Sequence, residues 1–175
     1  MRLGDLERAL GLVRTVPDFP EPGVLFRDLS PLFADASAVR AVVDALAATV
    51  PSDVDVIAPV EARGFLLGGA LAVALGCALV PIRKPGKLPV VADRVDYALE
   101  YGTATLELPG DVLRAGHRVA VVDDVLATGG TVAAACELVE RAGAEVAKVS
   151  VILELTALGG RDRLPGRDVE ALQAI

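Results

Sequence analysis

The stretch Val121-Val122-Asp123-Asp124-Val125-Leu126-Ala127-Thr128-Gly129-Gly130-Thr131 decides the fold. It begins inside a short apolar strand, residues 118–123, and ends at the start of a helix-periodic segment, residues 131–142, that Gly143 closes. Residues 124–130 form the polar, glycine-rich turn between the two. A further strand, residues 147–153, completes a strand–helix–strand unit. The same order occurs upstream. Residues 54–60 read as a buried strand, Glu61-Ala62-Arg63-Gly64 as a charged turn, and the apolar residues that follow as a small-residue helix ending near Leu75. Earlier still, Val39, Val42, Val43, Leu46 and Val50 recur at helical spacing behind a cap at Asp35 or Ser37. Strands alternating with helices predict an α/β fold: a mainly parallel twisted sheet, helices on both faces and right-handed connections.

The central stretch also carries the chemistry. Its strand delivers two adjacent carboxylates, Asp123 and Asp124, to the carboxyl edge of the sheet, where open α/β proteins bind ligands. Glycines and hydroxyl residues then lead into a helix N-terminus, whose free N–H groups and positive dipole end favour a phosphate. Acids that accept hydrogen bonds from neighbouring hydroxyls, beside a phosphate loop, suit a phosphorylated sugar. A strand-end acid followed by a capped helix accounts for one Asp and one Gly, but not for the whole string. Neither G-x-x-x-x-G-K-[ST] nor a G-x-G-x-x-G after a strand occurs, so Walker-type and dinucleotide readings lose their support.

Residues 83–108 break the alternation. Arg83-Lys84-Pro85-Gly86-Lys87-Leu88-Pro89 is rich in positive charge and breakers, and two strand-like runs, 95–99 and 104–108, flank Glu100-Tyr101-Gly102-Thr103. That pattern predicts a protruding hairpin, and long excursions from a compact sheet tend to be lids. Residues 65–82 carry no charge, enough to raise a membrane span, but Gly76 and Pro81 divide them into a helix and a strand at 78–82.

The 175 residues suit one domain. Hydrophobic residues make up 53% and aromatics only 3%, so the core is aliphatic. A formal charge of −7 repels a phosphate-coated partner, which argues against nucleic-acid binding. Cys77 and Cys136 lie far apart in apolar surroundings, which speaks against a zinc cluster or disulfide scaffold. The acids of the first residues exclude a secretory signal and imply a cytoplasmic protein without a membrane anchor. His117 reads as a turn residue, Glu154 as a strand-end acid that equally suits a supporting place at the site, and the tail after Arg161 is given no role.

The central stretch resembles the phosphoribosyl-pyrophosphate signature of type I phosphoribosyltransferases. Phe19-Pro20-Glu21-Pro22-Gly23-Val24-Leu25-Phe26-Arg27-Asp28, Glu61-Ala62-Arg63-Gly64-Phe65, the basic loop, and Leu99-Glu100-Tyr101-Gly102 resemble, in order and spacing, the adenine phosphoribosyltransferase family. The resemblance implies a single domain over 1–175, with an N-terminal adenine-binding hood at 1–34 and a flexible lid at 84–108. It implies transfer of the phosphoribosyl group from phosphoribosyl pyrophosphate to adenine, giving AMP and pyrophosphate, with Mg2+ escorting the polyphosphate and held mainly by substrate, and a homodimer.

The resemblance also assigns roles. Asp123 and Asp124 hold the ribose, and Ala127, Thr128, Gly129, Gly130 and Thr131 the 5′-phosphate. Arg63, Lys84 and Lys87 face pyrophosphate, with Arg83 beside them and placed to reach across a dimer interface. Leu25, Phe26 and Arg27 bind adenine, Phe26 by stacking and its neighbours by backbone groups. Glu100 is the acid–base residue and Tyr101 closes over the reaction centre. Taken singly, loop cations, a loop phenylalanine and a glutamate at a hairpin tip read as surface or packing, but two of only three lysines fall in this one loop. The competing readings are a transferase for 6-oxopurines, which lacks the hood and lid motifs, and a regulator that senses phosphoribosyl pyrophosphate on the same fold.

Overall fold

Asp35 opens the first long helix. In the computed structural model, which describes residues 3–98 and 102–175, its carboxylate accepts a hydrogen bond from Ala38 N at 2.8 Å, satisfying one of the donors that a helix start leaves free. The chain forms two units, Met1–Ala48 and Thr49–Ile175. The first contains α1 (Leu3–Leu10), β1 (Arg14–Pro17), β2 (Leu25–Asp28), a short α2 (Ser30–Phe33) and α3 (Ala36–Ala47). Ala38, Ala41, Val42, Ala45 and Leu46 form the buried stripe of α3, and α1 packs on that helix. Arg8 ties α1 to the cap itself, at 3.0 Å from Asp35. Strands β1 and β2 pair antiparallel, with Phe26 opposite Val16 and Arg27 opposite Thr15.

The second unit holds β3 (Val56–Pro59), α4 (Gly64–Leu75), β4 (Ala78–Leu79), β5 (Val91–Ala98), β6 (Thr103–Pro109), β7 (Arg118–Val122), β8 (Val125–Leu126), α5 (Gly130–Arg141), β9 (Glu145–Glu154) and β10 (Val169–Ala174). All pairings in its main sheet are parallel, in the order β10-β9-β7-β3-β4, with β8 beside β9. Every residue of β3 is buried, as expected of a strand covered on both faces. The path from β3 through α4 steps one way along the sheet, and the path from β7 through α5 steps the other. Right-handed crossovers in opposite directions place the two helices on opposite faces. The order therefore reverses between β3 and β7, which makes their carboxyl ends a topological switch point.

The predicted strands and helices stand where the periodicity put them, with ends shifted by a few residues. Three elements differ more. The runs around residue 100 do pair antiparallel, Val95 opposite Leu106 and Ala98 opposite Thr103. Their base does not stand free, because Val95, Leu106 and Leu108 are buried in the core cluster with Val132 and Ala135 of α5. The tail, given no role above, supplies β10, whose Val169 and Ala171 pair with Val149 and Val151 at the sheet edge. Phe26, read as a loop phenylalanine, lies in β2 of the β1–β2 pair. No helix among the described residues is long and apolar enough to cross a membrane.

Candidate active site

The switch point is built from two strand ends in register. Pro59 of β3 lies opposite Val122 of β7, so Glu61-Ala62-Arg63 and Asp123-Asp124 leave the sheet side by side. The Arg63 guanidinium crosses the gap, its Nε 2.7 Å from Asp124 Oδ2. Gly64 allows this closeness, since a Cβ there would sit 2.9 Å from Val122 O and 3.2 Å from Asp123 Oδ1. Any other residue at 64 would push the start of α4 off the acid pair.

Asp124 is buried and Asp123 half-buried. Asp124 N donates to Asp123 Oδ1 at 2.8 Å, and Asp123 N donates to Ser150 O at 3.1 Å, so the backbone of the pair is fixed from β9. Burial and the neighbouring Asp124 charge push the Asp123 carboxyl well above its ordinary range. Burial also raises Asp124, while Arg63 opposes the rise. Two acids held this close in little water favour keeping a proton unless a ligand supplies donors or charge.

Behind the acids the chain turns through Ala127, Thr128 and Gly129 into α5. Gly129 occupies the helix-capping position with φ 81° and no side-chain cap, a left-handed conformation that favours glycine. The first N–H groups of α5 therefore have no side-chain acceptor, the arrangement that receives a phosphate. Asp123, Ala127, Thr128, Gly129 and Thr131 line one hollow. Of the predicted ribose and phosphate residues, Asp124 and Gly130 do not line this hollow, and Asp124 turns instead to Arg63. Tyr97, on β5, accepts a hydrogen bond from Thr131 Oγ1 at 3.3 Å.

The basic loop is shaped by acids that the sequence reading passed over. Glu61 Oε2 accepts from Lys84 N at 2.9 Å and from Arg83 Nε at 3.2 Å. Burial raises the Glu61 carboxyl, but those two donors outweigh it and hold the group below its ordinary range. Glu107, buried on β6, accepts from Gly86 N at 3.2 Å. The Arg83 guanidinium lies over the Phe65 ring at 5.5 Å, while Lys84 and Lys87 are exposed. Glu61 was visible only as part of a quoted motif, and Glu107 only as one acid in a strand.

Leu25, Phe26 and Arg27 fall in β2, in the first unit. Leu25 is exposed, and Phe26 meets Phe19 edge to face with centroids 5.0 Å apart. Arg27 donates to the Thr15 hydroxyl. β2 pairs only with β1 in its sheet, leaving one backbone edge without a strand partner among the described residues. Leu99, Glu100 and Tyr101, and with them the acid–base and closing assignments, lie outside the described residues.

Residues 33–168 match the phosphoribosyl transferase domain family. The adenine phosphoribosyltransferase of Saccharopolyspora erythraea is 66% identical over 168 residues, 96% of this chain and 91% of that protein. The adenine phosphoribosyltransferase of Clavibacter michiganensis is 58% identical, over 96% of this chain and 94% of that one. Among solved structures, the adenine phosphoribosyltransferase of Thermoanaerobacter pseudethanolicus superposes with a TM-score of 0.94 at 44% identity, covering 97% of this chain and 99% of its own. The Saccharomyces cerevisiae adenine phosphoribosyltransferase, in complex with an imino-altritol bisphosphate and adenine, superposes with a TM-score of 0.92 at 36% identity, covering 98% and 100%.

Proposed function

Because the chain belongs to the adenine phosphoribosyltransferase family, we propose that it transfers the 5-phosphoribosyl group of phosphoribosyl pyrophosphate to adenine, giving AMP and pyrophosphate, a purine-salvage reaction. The observation that carries the reading is the hollow where Asp123 meets the uncapped start of α5, with Arg63 bound to Asp124 at its edge. One face offers acceptors for two ribose hydroxyls and the other offers donors for the 5′-phosphate.

In the reaction the ribose carbon 1–oxygen bond to pyrophosphate breaks and a bond from an adenine ring nitrogen to that carbon forms. The carbon becomes cationic as negative charge gathers on the leaving group, and pre-placed donors lower the barrier by neutralising that charge. Arg63, Lys84, Lys87 and Arg83 take this role, the last after exchanging Glu61 for pyrophosphate. Glu100 accepts the proton that adenine releases, and Tyr101 covers the centre. Phe26 stacks on the base, and backbone groups of Leu25 and Arg27 read its edge.

The donor set fits Mg2+ carried by the substrate. No group of three or more His, Cys, Asp or Glu comes together among the described residues, and Mg2+ at phosphate sites needs only one or two carboxylates besides substrate oxygens and water. Asp123 and Asp124 are the carboxylates that would help hold Mg2+ brought by the substrate, and the ion would supply neutralisation of charge on the pyrophosphate.

We assign the chain to one working domain over 1–175, with a hood at 1–34 and a lid at 84–108, in a cytoplasmic homodimer. Leu66 and Val73 on α4 and Leu79 on the edge strand β4 support the dimer, being apolar and exposed at 61%, 85% and 47%. The reading is tested by incubating the purified chain with adenine, phosphoribosyl pyrophosphate and Mg2+. AMP and pyrophosphate should appear in equal amounts, and a folded chain that makes neither refutes it.

A further inference from the structure

The acids and the basic loop leave unexplained the turn that follows β9. From Leu155 the chain runs through two short 3-10 turns, Thr156–Leu158 and Gly160–Arg163, and both sides of this segment are anchored. Leu155 N donates to Leu126 O at 2.9 Å, one residue before the phosphate loop. On the other side Arg161 donates to the buried Glu154 carboxylate from Nε at 3.0 Å and from Nη2 at 2.5 Å, and to Val169 O from Nη1 at 2.9 Å.

Between these anchors Gly160 crosses the loop 127–129 backbone against backbone. A Cβ on Gly160 would lie 2.2 Å from Ala127 O and 3.0 Å from Gly129 N, and one on Gly129 would lie 2.2 Å from Gly160 O. Those neighbours are peptide atoms, which cannot swing aside as a side chain can. Gly160 is not in the left-handed region, so glycine is needed there for space alone. The two chains exclude side chains reciprocally, and the one that moves when a side chain is added is the less anchored. Residues 127–129 line the hollow, whereas the turn is held by the Arg161–Glu154 ion pair and by two further hydrogen bonds, Arg161 Nη1 to Val169 O and Leu155 N to Leu126 O.

We propose that Gly160 is a positioning residue for the sugar phosphate: it backs the Ala127-Thr128-Gly129 main chain so that the loop N–H groups converge on the 5′-phosphate, with the Arg161–Glu154 pair holding it in place. The inference rests on the reading of residues 127–131 as the 5′-phosphate loop. It gives a function to Glu154 and Arg161.

Calorimetric titration of ribose 5-phosphate and, separately, of pyrophosphate with Mg2+ tests it on Gly160→Ala, Arg161→Lys and Thr131→Ala. Gly160→Ala should weaken ribose 5-phosphate at least about tenfold, the loss of one hydrogen bond to a charged group, and leave pyrophosphate within about twofold of the unaltered chain. Arg161→Lys keeps a charge on Glu154 but loses the planar fork, so it should shift ribose 5-phosphate in the same direction by less. That milder variant carries the test if Gly160→Ala does not fold. Ribose 5-phosphate bound normally by the folded variants, or both ligands weakened alike, overturns the inference while a Thr131→Ala loss leaves the phosphate loop standing. Thr131→Ala without effect overturns the phosphate-loop reading and the inference with it.

Discussion

The burial of Asp123 beside Asp124 costs the folded chain stability. The Asp123 carboxyl is raised by burial and by its neighbour, so the folded chain keeps a proton there that the unfolded chain releases. Below the ordinary aspartate range both states are protonated and nothing is lost. As pH rises through the interval up to the raised folded value, the folded state binds more protons than the unfolded one, and stability falls. Asp123→Asn should therefore raise the melting temperature at pH 7 and give little gain at pH 3, while weakening ribose 5-phosphate about 10- to 150-fold through the loss of a charge-assisted hydrogen bond. Thermal unfolding at the two pH values, with titration of the ligand, checks both halves. A variant that is less stable at pH 7 contradicts the account of the pair. Glu100 is tested by kinetics. A general acid–base contributes roughly 10²- to 10⁴-fold, so Glu100→Gln should lower kcat at least about tenfold with phosphoribosyl pyrophosphate binding nearly intact. A smaller loss leaves leaving-group stabilisation by Arg63, Lys84 and Lys87 dominant and removes the acid–base role. The acids and the glycine-rich turn were legible because they are contiguous. The Arg63–Asp124 pair was not, because it exists only once β3 and β7 lie side by side.

At the scale of elements, continuous apolar runs located β3, β7 and β9, which are buried on both faces, while an apolar segment and helical spacing located α4 and α5, each buried along one face. The hydrophobic pattern missed β10, where Arg, Gly and Pro before the strand mask a short alternation, and its order comes from pairing with β9 and from Arg161 bound to Val169 O. It also left open how the hairpin stem meets α5, a contact set by tertiary packing of Val95, Leu106 and Leu108. Helix α4 carries the element-level prediction. It is apolar throughout, and a helix apolar on every side is normally buried on every side, yet Leu66 and Val73 are exposed one above the other. A second copy of the chain is the occupant we assign to that face. Leu66→Glu should shift the sedimenting species from dimer to monomer, because an ionised carboxylate buried without a partner is costly. A chain that sediments as a fully active monomer before substitution removes the dimer.

For the whole molecule, a net charge of −7 coexists with a basic loop whose Arg83 and Lys84 are both bound to Glu61, two residues before Arg63. An acidic body with a local concentration of cations at residues 83–87 repels long polyanions and still admits a small one. The fold was largely legible as a whole, because alternating strands and helices leave few topologies once crossovers are right-handed. The base was legible only through the hood and lid motifs, which stand far from the central stretch in the sequence. The central claim is therefore tested most directly by competition between bases. The purified chain, given phosphoribosyl pyrophosphate and Mg2+ with adenine, hypoxanthine and guanine in turn, should use adenine with the highest kcat/KM. Equal or higher kcat/KM with hypoxanthine or guanine would contradict it.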